Sequence, residues 1–164
     1  MDRELIVVSY TKKNEKLWNA FISKAKNSTF LFYRDFMEYH SDRFEDFSLM
    51  VFKDEKLLAV LPANRVNDTL YSHQGLTYGG LIYNENLKFP EVLECFKEIL
   101  HFLNSEEIKT LEIKLLPSIY SQFSNDELNY LMFLLENVLA LRHVLTVNLV
   151  LVFYSKKNQN IVPL

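Results

Sequence analysis

The stretch 47-FSLMVFKDEKLLAVLPAN-64 decides how this chain folds. Two apolar runs rich in Leu, Val and Phe flank Asp54-Glu55. Each run is too short for a stable helix, and Asp is a common turn residue. The stretch therefore reads as an antiparallel hairpin. The stretch 72-SHQGLTYGGLIY-83 holds all three glycines of the chain and reads as a further extended segment. Three such segments in a row form an antiparallel meander.

Before the meander, 4-ELIVVSY-10 is a first strand. A helix follows, with Asn14 as its cap and Leu17, Trp18, Phe21, Ile22 and Ala25 on one face at three-to-four spacing. Asn27-Ser28-Thr29 ends it and offers a new cap. A second helix is expected through 30-FLFYRDFMEYH-40, unusually aromatic with Phe30, Phe32, Tyr33, Phe36 and Tyr39, its Phe residues supplying core. After the meander, Pro90 suits the first turn of a helix reaching Leu103, with Val92, Phe96, Ile99, Leu100 and Leu103 buried. Residues 110-TLEIKLLP-117 form a strand stopped by Pro117. Ser124 and Glu127 make a capping-box pattern ahead of 126-DELNYLMFLLENV-138. Residues 143-HVLTVNLVLVF-153 read as a last strand. The order β-α-α-β-β-β-α-β-α-β predicts a mixed α/β domain: a central, mostly antiparallel sheet flanked by helices. Residues 1–154 are expected to form this single domain, with 155–164 as a polar tail.

Composition narrows the function classes. The 164 residues are 49% hydrophobic and 14% aromatic, enough for a real core. A net charge of −3 provides no general basic field, which disfavours nucleic-acid binding. Cys95 stands alone, so an intramolecular disulfide and a cysteine-rich zinc site are excluded, as suits a reducing cytoplasm. His40, His73, His101 and His143 show no metal-ligand spacing, so no metal site is expected. The apolar runs near the two ends are too short to span a bilayer.

The element order, with the phrases 18–52, 56-KLLAVLPANRVND-68, 70-LYSHQGLTYGGLIY-83 and 127-ELNYLMFLLENVLALR-142, resembles the GNAT superfamily of N-acyltransferases. The phrases are most similar to the amino-terminal GNAT-like unit of bacterial FemAB-like proteins, many of which sit among cell-wall or surface-polysaccharide genes. The likeness runs from Leu17 to Leu149. It implies transfer of an acyl or aminoacyl group to an amine, with an amine-bearing small molecule or a cell-wall or polysaccharide precursor as acceptor. FemAB-like proteins carry two GNAT-like units, and the second binds the donor. One unit alone is then expected to be the acceptor-binding or scaffold half, paired with a second unit or forming a homodimer through the apolar run 145-LTVNLVLVF-153. The alternatives are a non-catalytic interaction module and a complete small acetyl-CoA-dependent N-acetyltransferase.

Small GNAT enzymes hold the coenzyme A pyrophosphate on backbone N–H groups of a glycine-containing turn before a helix. The matching turn here, 83-YNENLKFPE-91, has no glycine, carries Glu85 and Glu91, and loses an N–H at Pro90. No cofactor is therefore expected in this chain, although acetyl-CoA or another acyl donor remains the alternative. Gly75, Gly79 and Gly80 suggest a bulge or a close backbone approach. Ser72, His73, Gln74, Thr77 and Tyr78 either line a cleft there or face solvent at a simple bend. His73 has the right chemistry for a general base but no visible partner. Tyr33 and Arg34 either hold an acceptor anion or belong to a solvated face with Asp35, Glu38 and Arg43. Asn64 either bonds a ligand or caps its turn. The candidate substrate-binding residues are thus Tyr33, Arg34, Asn64, His73, Gln74, Tyr78 and Gly79. No catalytic residue is assigned.

Overall fold

The hairpin forms where the sequence places it. Strands β3 (Leu49–Lys53) and β4 (Lys56–Leu61) pair antiparallel around a turn in which Asp54 takes a left-handed φ of 54°. The computed structural model describes residues 4–39, 41–117, 120, 127, 130–131 and the backbone of 148–152. His40, His143, Ser124, nearly all of the helix expected at 126–138 and the tail 155–164 lie outside the described residues. Strand β1 (Leu5–Ser9) pairs with β3, and the short β7 (Ile82–Tyr83) pairs with β4, giving the order β1-β3-β4-β7.

A second sheet continues from the first. Pro62, which has no N–H to donate, interrupts the strand after Leu61. The chain resumes as β5 (Asn64–Val66) and turns back as β6 (Thr69–Tyr71). With β2 (Glu45–Asp46), β8 (Thr110–Lys114) and β9 (Asn148–Val152), the order is β2-β5-β6-β8-β9. Among the described strands, β6 and β8 form the only parallel pair; the other pairs are antiparallel, as expected. The single predicted sheet is therefore two, joined through β4 and β5.

Alternation sorts the strands onto two faces. Leu49, Val51, Ala59 and Leu61 pack with Leu111 and Ile113 against helix α3 (Phe89–Ser105), which buries Val92, Cys95, Phe96, Ile99 and Leu103. Each such side chain contributes about 1.5–3 kcal/mol of burial for the larger residues. Met50, Val60 and Ile82 face the other way, against Trp18, Phe21 and Ile22 of α1 (Glu15–Ile22) and against Phe32 and Met37. Trp18 anchors that layer by donating from Nε1 to the Phe32 carbonyl at 2.8 Å.

The second aromatic helix departs from expectation. Phe30–Phe32 form a 3-10 turn, Tyr33 is extended, and α2 spans only Arg34–Glu38. The break is fixed by Asn19, whose Oδ1 accepts the Arg34 backbone N–H at 3.0 Å. A continuous helix would have given that N–H a carbonyl instead. As a result Phe30 is 66% exposed rather than core, Tyr39 is 81% exposed, and Arg34 is 2% exposed rather than solvated. Asn14 precedes α1 but makes no side-chain capping bond.

Candidate functional site

The two sheets part beside the glycine stretch. Ser72 extends β6 by donating its N–H to the Glu112 carbonyl at 2.8 Å. Its hydroxyl oxygen accepts the Lys114 N–H at 2.9 Å. The chain then leaves the ladder and returns at Gly79, which donates to the Lys114 carbonyl at 2.6 Å and bridges to Leu115. Residues 73–78 form a loop closed at its neck by Ser72 and Gly79. A Cβ on Gly79 would stand 2.3 Å from the Ser72 carbonyl oxygen. The close approach that the glycines signal is therefore to the chain's own backbone.

The candidate residues cluster on this loop. Asn64 grips Gln74 twice, accepting its N–H at 2.7 Å and donating to its side-chain oxygen at 2.9 Å. His73 opens the loop in a left-handed conformation, φ 65°, and is buried edge-on to Phe44. Leu76 and Tyr78 turn into the α1–α2 layer, where Tyr78 meets Phe32 edge-on and stacks on Tyr120. Gln74 and Thr77 remain exposed.

Arg34 lies in a different environment. Its guanidinium sits 3.6 Å from the Tyr10 ring centroid and 5.1 Å from that of Trp18. It bonds Asp46, reaches Glu38 at 3.3 Å and donates to the Ser48 hydroxyl at 3.2 Å. Planar, delocalised charge suits such a stacked box. Burial pulls the Glu38 carboxyl upward, but Lys12 and Arg34 outweigh it and hold it below its ordinary value. Tyr33 is half-buried against the same layer.

A second cluster was not signalled by any local motif. Lys26 pairs with Glu127, and the Tyr83 hydroxyl donates to the other Glu127 oxygen at 2.9 Å. Burial raises the Glu127 carboxyl, but the bonds from Lys26, its own backbone and Tyr83 prevail and lower it. Beside it, Asn27 is buried. Sequence reading gave Asn27 only the role of ending one helix and offering a cap to the next.

In the turn into α3, three N–H groups are bonded within the chain. Asn86 N–H bonds Asn84 Oδ1 at 3.0 Å, and Leu87 N–H bonds the Asn84 carbonyl at 3.1 Å. The Lys88 N–H is taken by the Glu91 carboxylate at 3.0 Å, and Pro90 offers none. A polyanion approaching this turn meets the Glu91 carboxylate, and three of the turn's N–H groups are already taken. Among the described residues no group of His, Cys, Asp and Glu is placed to hold a metal ion, and no helix is long and apolar enough to cross a membrane.

No family model matches the chain, and no curated protein matches it in sequence. Solved structures do. The ribosomal-protein-S18-alanine N-acetyltransferase from Escherichia coli is 13% identical and superposes with a TM-score of 0.58, covering 96% of this chain and 99% of that one. The ribosomal-protein-S5-alanine acetyltransferase from Vibrio fischeri, at 7% identity, also reaches 0.58, covering 96% and 97%. The PaiA N-acetyltransferase from Thermoplasma acidophilum, solved in complex with coenzyme A, gives 0.55 at 5% identity, covering 92% and 99%. The mixed α/β architecture of this chain is the GNAT N-acyltransferase fold.

Proposed function

We propose that this chain is the acceptor-binding or scaffold half of a FemAB-type N-acyltransferase and does not itself hold the acyl donor. The observation that carries this reading is the turn into α3. One of the similar acetyltransferases is solved with coenzyme A. Here the N–H groups of Asn86, Leu87 and Lys88 are already bonded within the chain, and Glu91 occupies the helix entry. These residues do not fit a pyrophosphate. The acceptor is an amine-bearing small molecule or a cell-wall or polysaccharide precursor in the cytoplasm, as the FemAB-like phrases imply. It meets the loop 73–78 at exposed Gln74 and Thr77. Asn64, His73, Tyr78 and Gly79 set the loop's shape beneath, and Tyr33 and Arg34 support the adjoining layer.

Calorimetric titration of the chain with acetyl-CoA tests the donor half of this reading. No heat is expected at millimolar ligand, a regime in which binding is worth only about 4 kcal/mol. Saturable binding at micromolar ligand would overturn it and favour a complete small acetyltransferase. Adding a FemAB-type second unit is expected to give a stable complex in light scattering. The second reading, a non-catalytic interaction module, is favoured by the exposed rings of Phe30, Phe36 and Tyr39. It predicts no acyl transfer even when that second unit is supplied.

A further inference from the structure

Strand β1 forms one end of its sheet, with β3 on one side and no described strand on the other. The Tyr10 N–H bonds the Ser48 carbonyl at 2.7 Å, one step beyond the pair Ser9↔Leu49. Alternate residues of an antiparallel strand turn their backbone groups to the same side. Ile6 and Val8 therefore share the direction of Tyr10 and bond β3. Leu5, Val7 and Ser9 turn their N–H and carbonyl groups outward, where no described residue takes them. End strands are commonly guarded by lysine, proline, a bulge or an inward charge. Residues 5-LIVVS-9 carry none of these, and their register with β3 runs unbroken. The side chains are incompletely covered as well. Leu5 and Val7 are half-buried on the α3 face and Val8 on the α1 face, while Ile6 is 53% exposed.

We propose that β1 pairs antiparallel with β1 of a second copy of this chain, about a twofold axis at Val7. In this register Leu5 of one copy bonds Ser9 of the other, and Val7 bonds Val7. Two observations choose a second copy over a foreign strand. The first is side-chain fit. Outward groups must meet outward groups, so the α3 faces of the copies join, and so do their α1 faces. Ile6 then falls opposite Val8 of the second copy in a non-hydrogen-bonded pair, the geometry with the closer side chains. Each incompletely covered residue covers the other. The second observation is charge. Glu4 precedes β1 and Lys13 follows it, both exposed and neither with an ionic partner among the described residues. Antiparallel pairing sets the acidic end of each copy beside the basic end of the other. The twofold axis closes the pairing at two copies. A single strand edge is smaller than the roughly 800 Å² per partner of a standard interface, so the dimer is weak, with Kd about tens of micromolar. This contact is distinct from the apolar run 145–153, whose β9 ends the other sheet, and it does not depend on how an acyl donor is bound.

The test is sedimentation velocity combined with amide exchange on the full chain. A monomer–dimer equilibrium is expected. The Leu5, Val7 and Ser9 amides should exchange about fivefold more slowly at about 1 mM protein than at about 20 μM, while Val8, already bonded to β3, is unchanged. Ile6→Lys, at an exposed position, places a charge in both Ile6–Val8 pairs and should raise Kd about tenfold or more. Should that variant not fold, Ser9→Pro removes an outward N–H but no bond to β3, and should weaken the dimer likewise. A chain that stays monomeric at about 1 mM overturns the proposal. So does a dimer whose outward amides exchange as in the monomer, since its contact lies elsewhere. Equal protection of those amides at both concentrations, the mark of cover from within one chain, overturns it too. A dimer left intact by the folded variants, or an assembly larger than two copies, contradicts the closed pairing at β1.

Discussion

Replacing Gly79 with alanine should destabilise the protein far more than the same change at Gly75. The added Cβ would stand 2.3 Å from the Ser72 carbonyl oxygen, about 1 Å inside the closest carbon–oxygen contacts between strands, roughly 3.3 Å. Ser72 cannot easily retreat. Its N–H is bonded to Glu112 and its hydroxyl oxygen to the Lys114 N–H. Moving Gly79 instead gives up its bond to the Lys114 carbonyl. Overpacking costs about 1–3 kcal/mol and a lost ladder bond about 1 kcal/mol, so a total near 3 kcal/mol is expected. For a domain of this size that lowers Tm by about 6–12 °C. At Gly75 the nearest atom is the rim of the Phe44 ring, 2.9 Å away, and a half-buried side chain can move aside. Alanine there should cost under about 1 kcal/mol. Gly80 has φ 98°, so alanine at that position should fall between them, at about 1–2 kcal/mol of backbone strain. Urea denaturation of the three variants gives the order directly. A Gly79 variant within about 0.5 kcal/mol of wild type, or a Gly75 variant as damaging as Gly79, would refute the account of the loop neck.

Arg34→Met should cost about 2–3 kcal/mol, below the range for a fully buried pair because Asp46 and Glu38 are partly exposed and can rotate to water. Arg34→Lys should recover less than half of this, since an ammonium cannot reproduce the stacked fork between Tyr10 and Trp18; chemical denaturation measures both. Glu38 has a lowered folded pKa, so its contribution is present above the ordinary carboxylate range and lost as pH falls through the lower folded value. Glu38→Gln should therefore flatten the acid limb of a stability–pH curve. Burial, helped by the charges of Glu91 and Glu94, pushes the Cys95 thiol up to about 12. Iodoacetamide at mildly alkaline pH should leave native protein unlabelled and label it fully in denaturant; rapid native labelling would contradict the packing of α3 on the sheet.

The architecture was legible because it rests on period and punctuation. The hairpin at 47–64 declares itself by two apolar runs around an acidic turn, and α3 by its three-to-four spacing behind Pro90. The break between Phe32 and Arg34 was not legible. It depends on Asn19, fifteen positions away, taking the Arg34 N–H. Five aromatics in ten residues looked like a core helix, but a helix cut to five residues cannot turn all of them inward. Arg34 looked like a surface residue because nothing adjacent in sequence announces Tyr10, Trp18 and Asp46 as its box. Likewise the Lys26–Glu127 pair joins residues 101 positions apart, beyond any local pattern. The glycines read as a bulge, a close approach or a bend within an extended segment; residues 73–78 are instead a loop, and at its neck the approaching group is the carbonyl of Ser72.

Three features point the same way about where binding can occur. The acidic group at the start of α3 is bonded to the chain's own N–H, the carboxamide of Asn27 is spent on the β7 edge, and the guanidinium of Arg34 is spent on Asp46, Glu38 and Ser48. Each is a group that ligand sites commonly use, and each already has a partner inside the fold. A ligand competing for any of them must first break a satisfied bond in a partly dry environment, and affinity is reduced accordingly. At the outer rim of the loop this penalty is smaller, since of the Gln74 carboxamide only the oxygen is already taken, by Asn64. Gln74 and Thr77 are exposed there, and the backbone beneath them is pinned by Asn64 and by the Ser72–Gly79 neck. A rigid loop that presents polar groups to solvent binds without first paying to order itself. Removal of the Asn64 grip should therefore act on acceptor binding through loosening of the loop. In Asn64→Ala, exchange at the Gln74 amide should accelerate while the Gly79 amide, held by Lys114, stays protected. Equal acceleration at both would mean that the neck and the grip are one cooperative unit, and the rim would then have no independent rigidity to offer a ligand.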